Sequence, residues 1–259
     1  MLGDLAFFSL AHLADPGSHR AYNEWHQLDH RPENLALPGV TWGERWVHPP
    51  DVAELAVVGD VGPFHYLNMY WFRAPVDQSR REWSELAERS LQWGRRADLA
   101  LATRPMMAFF HPTQAYVSEG VAISENALPI RPNLGVYARL TRVAEPRTPA
   151  ALDRFAWWDR VGVPELVARP GAAGAVTFAS ESTFVAPFDL TAGAPPESVR
   201  LHLVYLDADP LQFARSLAAD PVEPPGRGDL EAVLFSGALR AIVPWEWSWF
   251  DPAPEAVRP

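Results

Sequence analysis

The chain repeats itself. The octapeptide PENLALPG at 32–39 returns as PELVARPG at 164–171, an offset of 132 residues that lays Pro32 on Pro164, Glu33 on Glu165, Ala36 on Ala168, Pro38 on Pro170 and Gly39 on Gly171. Carried upstream without a gap, the offset sets Trp25 on Trp157. It also brings LAFFSLAHL near YARLTRVAE and LNMYWF near RLHLVY. A repeat constrains the fold more than composition does, because both copies must build the same supersecondary unit.

The periodicities of each copy read strand, helix, strand, strand, helix, strand. In the first, LAFFSLAHL (5–13) is a buried strand, SHRAYNEWHQLDH a helix capped by Ser18, and WGERWV a strand after the Pro-Gly turn. FHYLNMYWF is the third strand and MMAFFH the fourth. Between them SRREWSELAERSLQW has helical spacing, with Trp83, Leu86 and Leu91 marking its buried stripe. The second copy contains NLGVYARLT, PAALDRFAWWDRVG, GAVTFAS, VRLHLVYL, PLQFARSLA and EAVLFSGALRAIV in the same order.

This order is the ferredoxin-like βαββαβ plan, an α+β unit whose helices cover one face of an antiparallel sheet. Two tandem copies supply each other's missing partner. The expectation is intramolecular pairing into a closed barrel with a ligand-sized space between the sheets. The turn-rich SENALPIRPN divides the chain into a first repeat, 1–125, a second, 132–246, and a tail, 247–259. The aromatic PWEWSWFDP reads as a packing strap, and AGAPPES (192–198) and DPVEPPGRGD (220–229) as surface loops.

With 22 Lys and Arg against 32 Asp and Glu, and no basic run, the chain has no footprint for nucleic acid or an anionic membrane. It has neither an 18-residue apolar run nor a basic leader, so a cytoplasmic location is expected. The absence of cysteine removes disulfides, thiolate nucleophiles and Cys-ligated metal, leaving chemistry to His, acids, Tyr, Arg or a bound cofactor. No phosphate loop, nucleophile elbow or dinucleotide fingerprint is present.

Trp25, His30-x-Pro32, Pro38-Gly39 and Arg45 on the following strand resemble the signature of the dimeric α+β barrel superfamily, particularly its EthD-like branch. One departure is the Trp-x4-His spacing, a residue longer than the usual form. The resemblance implies a cavity near the C-terminal end of the first helix and small hydrophobic or aromatic substrates. It implies chemistry ranging over cofactor-free oxygenases, lyases, cyclases, isomerases and haem enzymes, so it constrains fold more than reaction.

The second copy replaces His26, Asp29 and His30 with Trp158, Val161 and Gly162, so the first is expected to be the active half. Pro32 should end the helix at about His30. There the helix dipole and Asp29 would favour the imidazolium, giving a proton donor or acceptor at the cavity mouth. The plainer reading is a histidine that caps carbonyls. His26 and His30 share the i, i+4 spacing of helical zinc sites, but no third ligand or adjacent glutamate accompanies them, and no metal is expected.

In FHYLNMYWF, alternation parts Tyr66, Asn68 and Tyr70 from a mostly apolar set, His65, Leu67, Met69 and Trp71. The apolar set suits the helix-covered side, which turns Asn68 and Tyr70 toward the inter-sheet space. Tyr137, Arg139, Arg200 and His202 are expected to join them there. Arg45 either binds substrate or pairs with Glu44 or Glu33. These residues suggest a cofactor-independent lyase, isomerase, cyclase or monooxygenase acting on a small aromatic or polyketide-like molecule. His30 would move the proton, helped by Tyr70 and Asn68, and Trp25, His26, Asp29, Arg45, Tyr66, Tyr137, Arg139, Arg200 and His202 would bind substrate. The rivals are a non-catalytic binder of small hydrophobic molecules and a haem protein ligated by His26, His30 or His202. Either a monomer or a homodimer fits this plan.

Overall fold

The computed structural model describes residues 1–181, 195–226 and 230–251; parts of both Pro-rich loops, at 192–194 and 227–229, and of the tail, at 252–259, lie outside them. The first copy contributes β1 (Leu5–His12), α1 (His19–Trp25), α2 (Arg31–Leu35), β2 (Val40–Val47), α3 (Pro50–Ala53), β3 (Val57–Val58), β4 (Tyr66–Phe72), α4 (Val76–Gln92), α5 (Asp98–Leu101) and β5 (Thr103–Val117). The second contributes β6 (Gly135–Arg142), α6 (Pro149–Trp157), α7 (Val163–Val167), β7 (Ala172–Ser180), β8 (Val199–Leu206), α8 (Pro210–Ala219) and β9 (Ala232–Ala241).

Four strands of each copy form an antiparallel sheet, in the order β5-β1-β4-β2 and β7-β8-β6-β9. Each fourth strand pairs with the partner copy's second. β5 runs beside β7 from Phe110↔Ser180 to Val117↔Gly174, and β2 meets β9 at Trp46↔Ala241 and Val47↔Arg240. Both seams close, so two βαββαβ units in one chain make an α+β barrel.

The barrel interior is solid. Phe8, Trp46, Met69, Trp71, Phe110, Phe178 and Tyr205 fill it, each without solvent exposure, together with Leu10, Leu67, Leu203 and Leu239. This overturns the expected ligand space between the sheets and inverts the strand faces. Leu67, Met69 and Trp71 point inward, while Asn68 and Tyr70 lie under the helices. Every residue of β4 is buried, so alternation separated its two faces without telling which was the interior. A closed barrel has the drier inside, and the apolar set went there.

The first helical run also departs from expectation. It does not stop at His30: a wide, π-type turn spans His26–His30, the Arg31 N–H bonds back to the His26 carbonyl, and α2 continues to Leu35. Pro32 falls in the first turn of α2, where a missing N–H leaves no gap. The second copy repeats the device over Trp158–Gly162, with Val163 bonded to Trp158 and Pro164 in the first turn of α7. At the start of the run the cap is Asp15, whose side chain accepts from the Gly17 N–H, rather than Ser18.

On α4, Leu86 and two serines, Ser79 and Ser90, are buried, whereas Leu91 is 55% exposed. Trp247 and Phe250 of the aromatic segment pack with Tyr22, Val47 and Tyr66. No described helix is long and apolar enough to cross a membrane.

Candidate functional site

The outer face of the first sheet supports a pocket of about 70 Å³ beneath the helices. Ser9 on β1 and Asn68 and Tyr70 on β4 make its floor; His26, His30 and Asn34 come from the helical run, and Trp83, Leu86 and Ser90 from α4. Arg96, Asp98 and Arg104, around α5, close it. His26 and His30, four residues apart across the π-type turn, lie side by side, with ring centroids 5.0 Å apart and edge to face.

Each ring is held by a different device. His30 stacks on Trp25 at 4.6 Å, and Trp25 is fixed by its Nε1 donating to the Arg95 carbonyl at 2.6 Å. Asn34 Nδ2 donates to the His30 carbonyl at 2.5 Å and lies 3.2 Å from His30 Nδ1. The amide must therefore offer N–H to the ring, so Nδ1 accepts and the proton sits on Nε2. His26 keeps its buried Nδ1 without any protein partner.

Burial, and secondarily the neighbouring arginines, drive both imidazoles toward the neutral form: His30 is lowered to about 3 and His26 lies well below the ordinary range. This reverses the expected imidazolium. The helix continues past His30, so no dipole end is there, and Asp29 turns outward to an ion pair with Arg95, which also holds Glu33 at 2.8 Å. Burial pushes the Tyr70 phenol upward, so it too stays protonated and its hydroxyl has no partner.

Arg45 stands beside Asn68 on β2, 1% exposed. Its Nε donates to Asn68 Oδ1 at 3.1 Å, and its guanidinium lies 5.2 Å from the ring centroids of both Tyr22 and Tyr66. Neither Glu44 nor Glu33 pairs with it: Glu44 lies 4.0 Å from Arg31, and Glu33 binds Arg95 and Ser90. Tyr66 backs this wall, its hydroxyl 2.8 Å from both His19 Nδ1 and Asn23 Nδ2. Asp98 anchors the far side, accepting from Arg96 at 2.9 and 3.0 Å and from Arg104 at 2.9 Å. Burial would raise its carboxyl, but the two guanidiniums hold it below its ordinary value.

The second copy's candidates do not reach this pocket. Tyr137 and Arg139 border a separate cavity of about 290 Å³ with Trp158, Leu166 and Val222. There Tyr137 bonds Ser236 at 2.6 Å, and Arg139 is neutralised by Glu231 at 2.8 Å. Arg200 stacks on Phe155 at 4.1 Å and lies 3.7 Å from Glu197. His202, 4% exposed, packs on Trp158. The copies also differ in register: Gly43 faces Tyr70, but Thr177 faces His202, so Ala179 faces Arg200 where Arg45 faces Asn68. The 132 offset becomes 134 along this strand, and no arginine stands in Arg45's place.

Of the residues singled out from sequence, His26, His30, Asn68 and Tyr70 line one pocket, Arg45, Tyr66 and Trp25 back it, and Asp29, Tyr137, Arg139, Arg200 and His202 lie elsewhere. Ser9, Arg96, Asp98 and Arg104 were missed. The polar clusters GRRAD and TRP after α4 were the only trace of the last three, and neither has a period to mark a face; Ser9 is a lone small residue in an apolar strand.

The pocket does not fit a haem. At about 70 Å³ it is smaller than ordinary ligand pockets, and His202 is not on the wall of the larger cavity. Among the described residues, no group of three or more His, Asp or Glu is placed to hold a metal ion.

No family model matches the chain, and no curated protein does. Solved structures do. A candidate monooxygenase from Fusobacterium nucleatum matches with a TM-score of 0.49 and 8% identity over 93% of this chain and 94% of its own. An anthrone oxidase-like protein matches at 0.48 and 15% over 93% and 92%, and the encapsulated DyP-type peroxidase of Mycobacterium smegmatis at 0.45 and 10% over 98% and 96%. At such identities, and with TM-scores below 0.5, these likenesses transfer neither residue nor activity; the closed two-repeat barrel rests on the chain's own strand pairing.

Proposed function

We propose that the protein is an enzyme that moves a proton on a small C–H-acidic molecule, in the pocket of the first repeat and without a cofactor. One observation carries this reading: two neutral imidazoles and an unpartnered phenol converge on a single buried space. A neutral imidazole can take a proton, and an N–H or O–H donor can hold the oxyanion that forms. His26, with a free ring nitrogen, is the base. The His30 Nε2–H donates to the developing enolate and the Tyr70 hydroxyl to a neighbouring oxygen of the substrate, while Asn68 orders Arg45 behind them. Proton abstraction is the step shared by lyase, isomerase, cyclase and cofactor-free monooxygenase outcomes. The volume admits a small molecule, or the acidic end of a larger aromatic or polyketide-like one.

Deuterium exchange in D2O, followed by proton NMR over a panel of β-dicarbonyl and phenolic compounds, tests the reading without knowledge of the product. Catalysed exchange is expected for at least one compound. His26→Ala should lower its rate by about 10²- to 10⁴-fold with little change in ligand affinity. Binding with no exchange on any compound would instead identify a carrier.

A further inference from the structure

In and behind the pocket, groups that only donate outnumber those that only accept. Arg45 Nη1 and Nη2, Arg104 Nη1, the hydroxyls of Tyr22 and Tyr70, and the indole N–H of Trp83 are all buried without a protein partner. The two hydroxyls can donate or accept, but the Nη and indole groups only donate; against them the unpartnered group that only accepts is Asn23 Oδ1, with His26 Nδ1 taking either role by tautomer. Buried polar groups in native proteins are nearly always bonded, so a concentration of open donors calls for acceptors from outside the chain.

Charge points the same way. Arg96 and Arg104 line the space and Arg45 stands behind it, and Asp98 is the carboxylate bonded to the first two. With both histidines neutral, the site holds an excess of positive charge in a low-dielectric setting, where an unpaired ion is costly.

Arg45 is also restricted in direction. Its guanidinium carbon lies 5.2 Å from the ring centroids of both Tyr22 and Tyr66, and Nε is used by Asn68. What is left without a partner is the in-plane edge bearing Nη1 and Nη2. That edge suits a planar, two-oxygen anion, which a guanidinium grips with parallel N–H bonds.

We infer that the substrate carries a carboxylate, which docks against the open edge of Arg45 with Tyr70 donating to it, so that the protein's substrates are small β-keto acids or similar C–H-acidic carboxylates. This rests on the proton-transfer reading for the chemical step, but not for the binding itself. Arg45 is then a specificity residue.

The test separates the two. Wild-type protein is titrated by calorimetry and thermal shift with acetate, propionate and benzoate, and with the matching amides as neutral probes of the same shape. Carboxylates should bind at least tenfold more tightly than amides, and Arg45→Met should abolish the difference. Because the substitution removes a buried unpaired charge, the ligand-free variant should melt higher than wild type. Equal affinity for acids and amides, or full carboxylate binding by Arg45→Met, would overturn the inference, as would a pocket that takes up neither and holds water alone. Should Arg45→Met fail to fold, Tyr70→Phe serves in its place, with a loss of carboxylate affinity of about tenfold expected and an unchanged affinity counting against the site. In the exchange assay, a β-keto acid is set against its methyl ester. Equal rates would end the carboxylate proposal and leave the enzyme; tight carboxylate binding with no exchange would do the reverse.

Discussion

At the scale of single residues, the pocket depends on side chains that lack what they would normally have. Gly43 lacks a Cβ because the Tyr70 ring occupies that place: a methyl group there would sit 2.6 Å from Cε1 and 2.7 Å from Cδ1. Gly43→Ala should therefore cost about 1–3 kcal/mol in urea unfolding and displace the phenol, with a matching loss of exchange activity. His30 lacks a charge. Its ring in the free protein should show no midpoint between pH 5 and 8 when followed by NMR, since burial holds it at about 3, and a midpoint near 6.5 would contradict the buried site. A bound anion should move that midpoint upward, because negative charge favours the imidazolium. His30, Asn68 and Tyr70 were legible in sequence as a set even though the face they share was misassigned: polar residues in a buried strand must meet something on either side. Arg96, Asp98 and Arg104 were not, because an ion network closed across a connection leaves no spacing to read.

Among the elements, the π-type turn matters most, and it was hidden from sequence reasoning. Pro32 reads as a stop because a regular helix cannot pass a proline unharmed. The chain widens the turn before it, and the recurrence of the device before Pro164 marks it as part of the unit's design. Such widened turns are frequent at functional positions. Removing one residue from it, Gln27, should restore regular winding and set His30 three positions from His26 instead of four, changing the angle between their rings. Helical circular dichroism should persist while His26 and His30 no longer converge, and exchange should be lost. Retained activity would show that the widening has no part in the site. The strands were more legible, since their ends fell within a few residues of expectation for most; β5, at 15 residues, ran well past MMAFFH because it serves two sheets at once.

Across the whole molecule, burial of histidine sets the response to acid. His19, His48 and His65 are lowered to about 4, and His30 and His202 to about 3, burial being the first cause in each. Each stays neutral when folded but takes a proton near 6.5 when unfolded. Between those values the unfolded chain binds more protons, so stability is complete above about pH 6.5 and falls as pH drops toward 4. The slope is at most about 1.4 kcal/mol per pH unit for each such ring, and less for the half-exposed ones. Urea midpoints at pH 7, 6, 5 and 4 should decline throughout, and an unchanged midpoint down to pH 4.5 would refute this. The duplicated plan was the most legible feature of all, because an internal repeat survives in punctuation after its polar residues diverge. What it could not convey was the two-residue slip that leaves Arg45 without a counterpart.

That slip has a consequence for how such a barrel can change over generations. Two identical chains meeting about a twofold axis would have to sink the same lone guanidinium into both of their flanks, doubling the strain on folding. Joined end to end, the copies are free to drift apart, so one flank can carry an uncomfortable charge while the other, with its Arg139–Glu231 pair and apolar lining, keeps the fold in one piece.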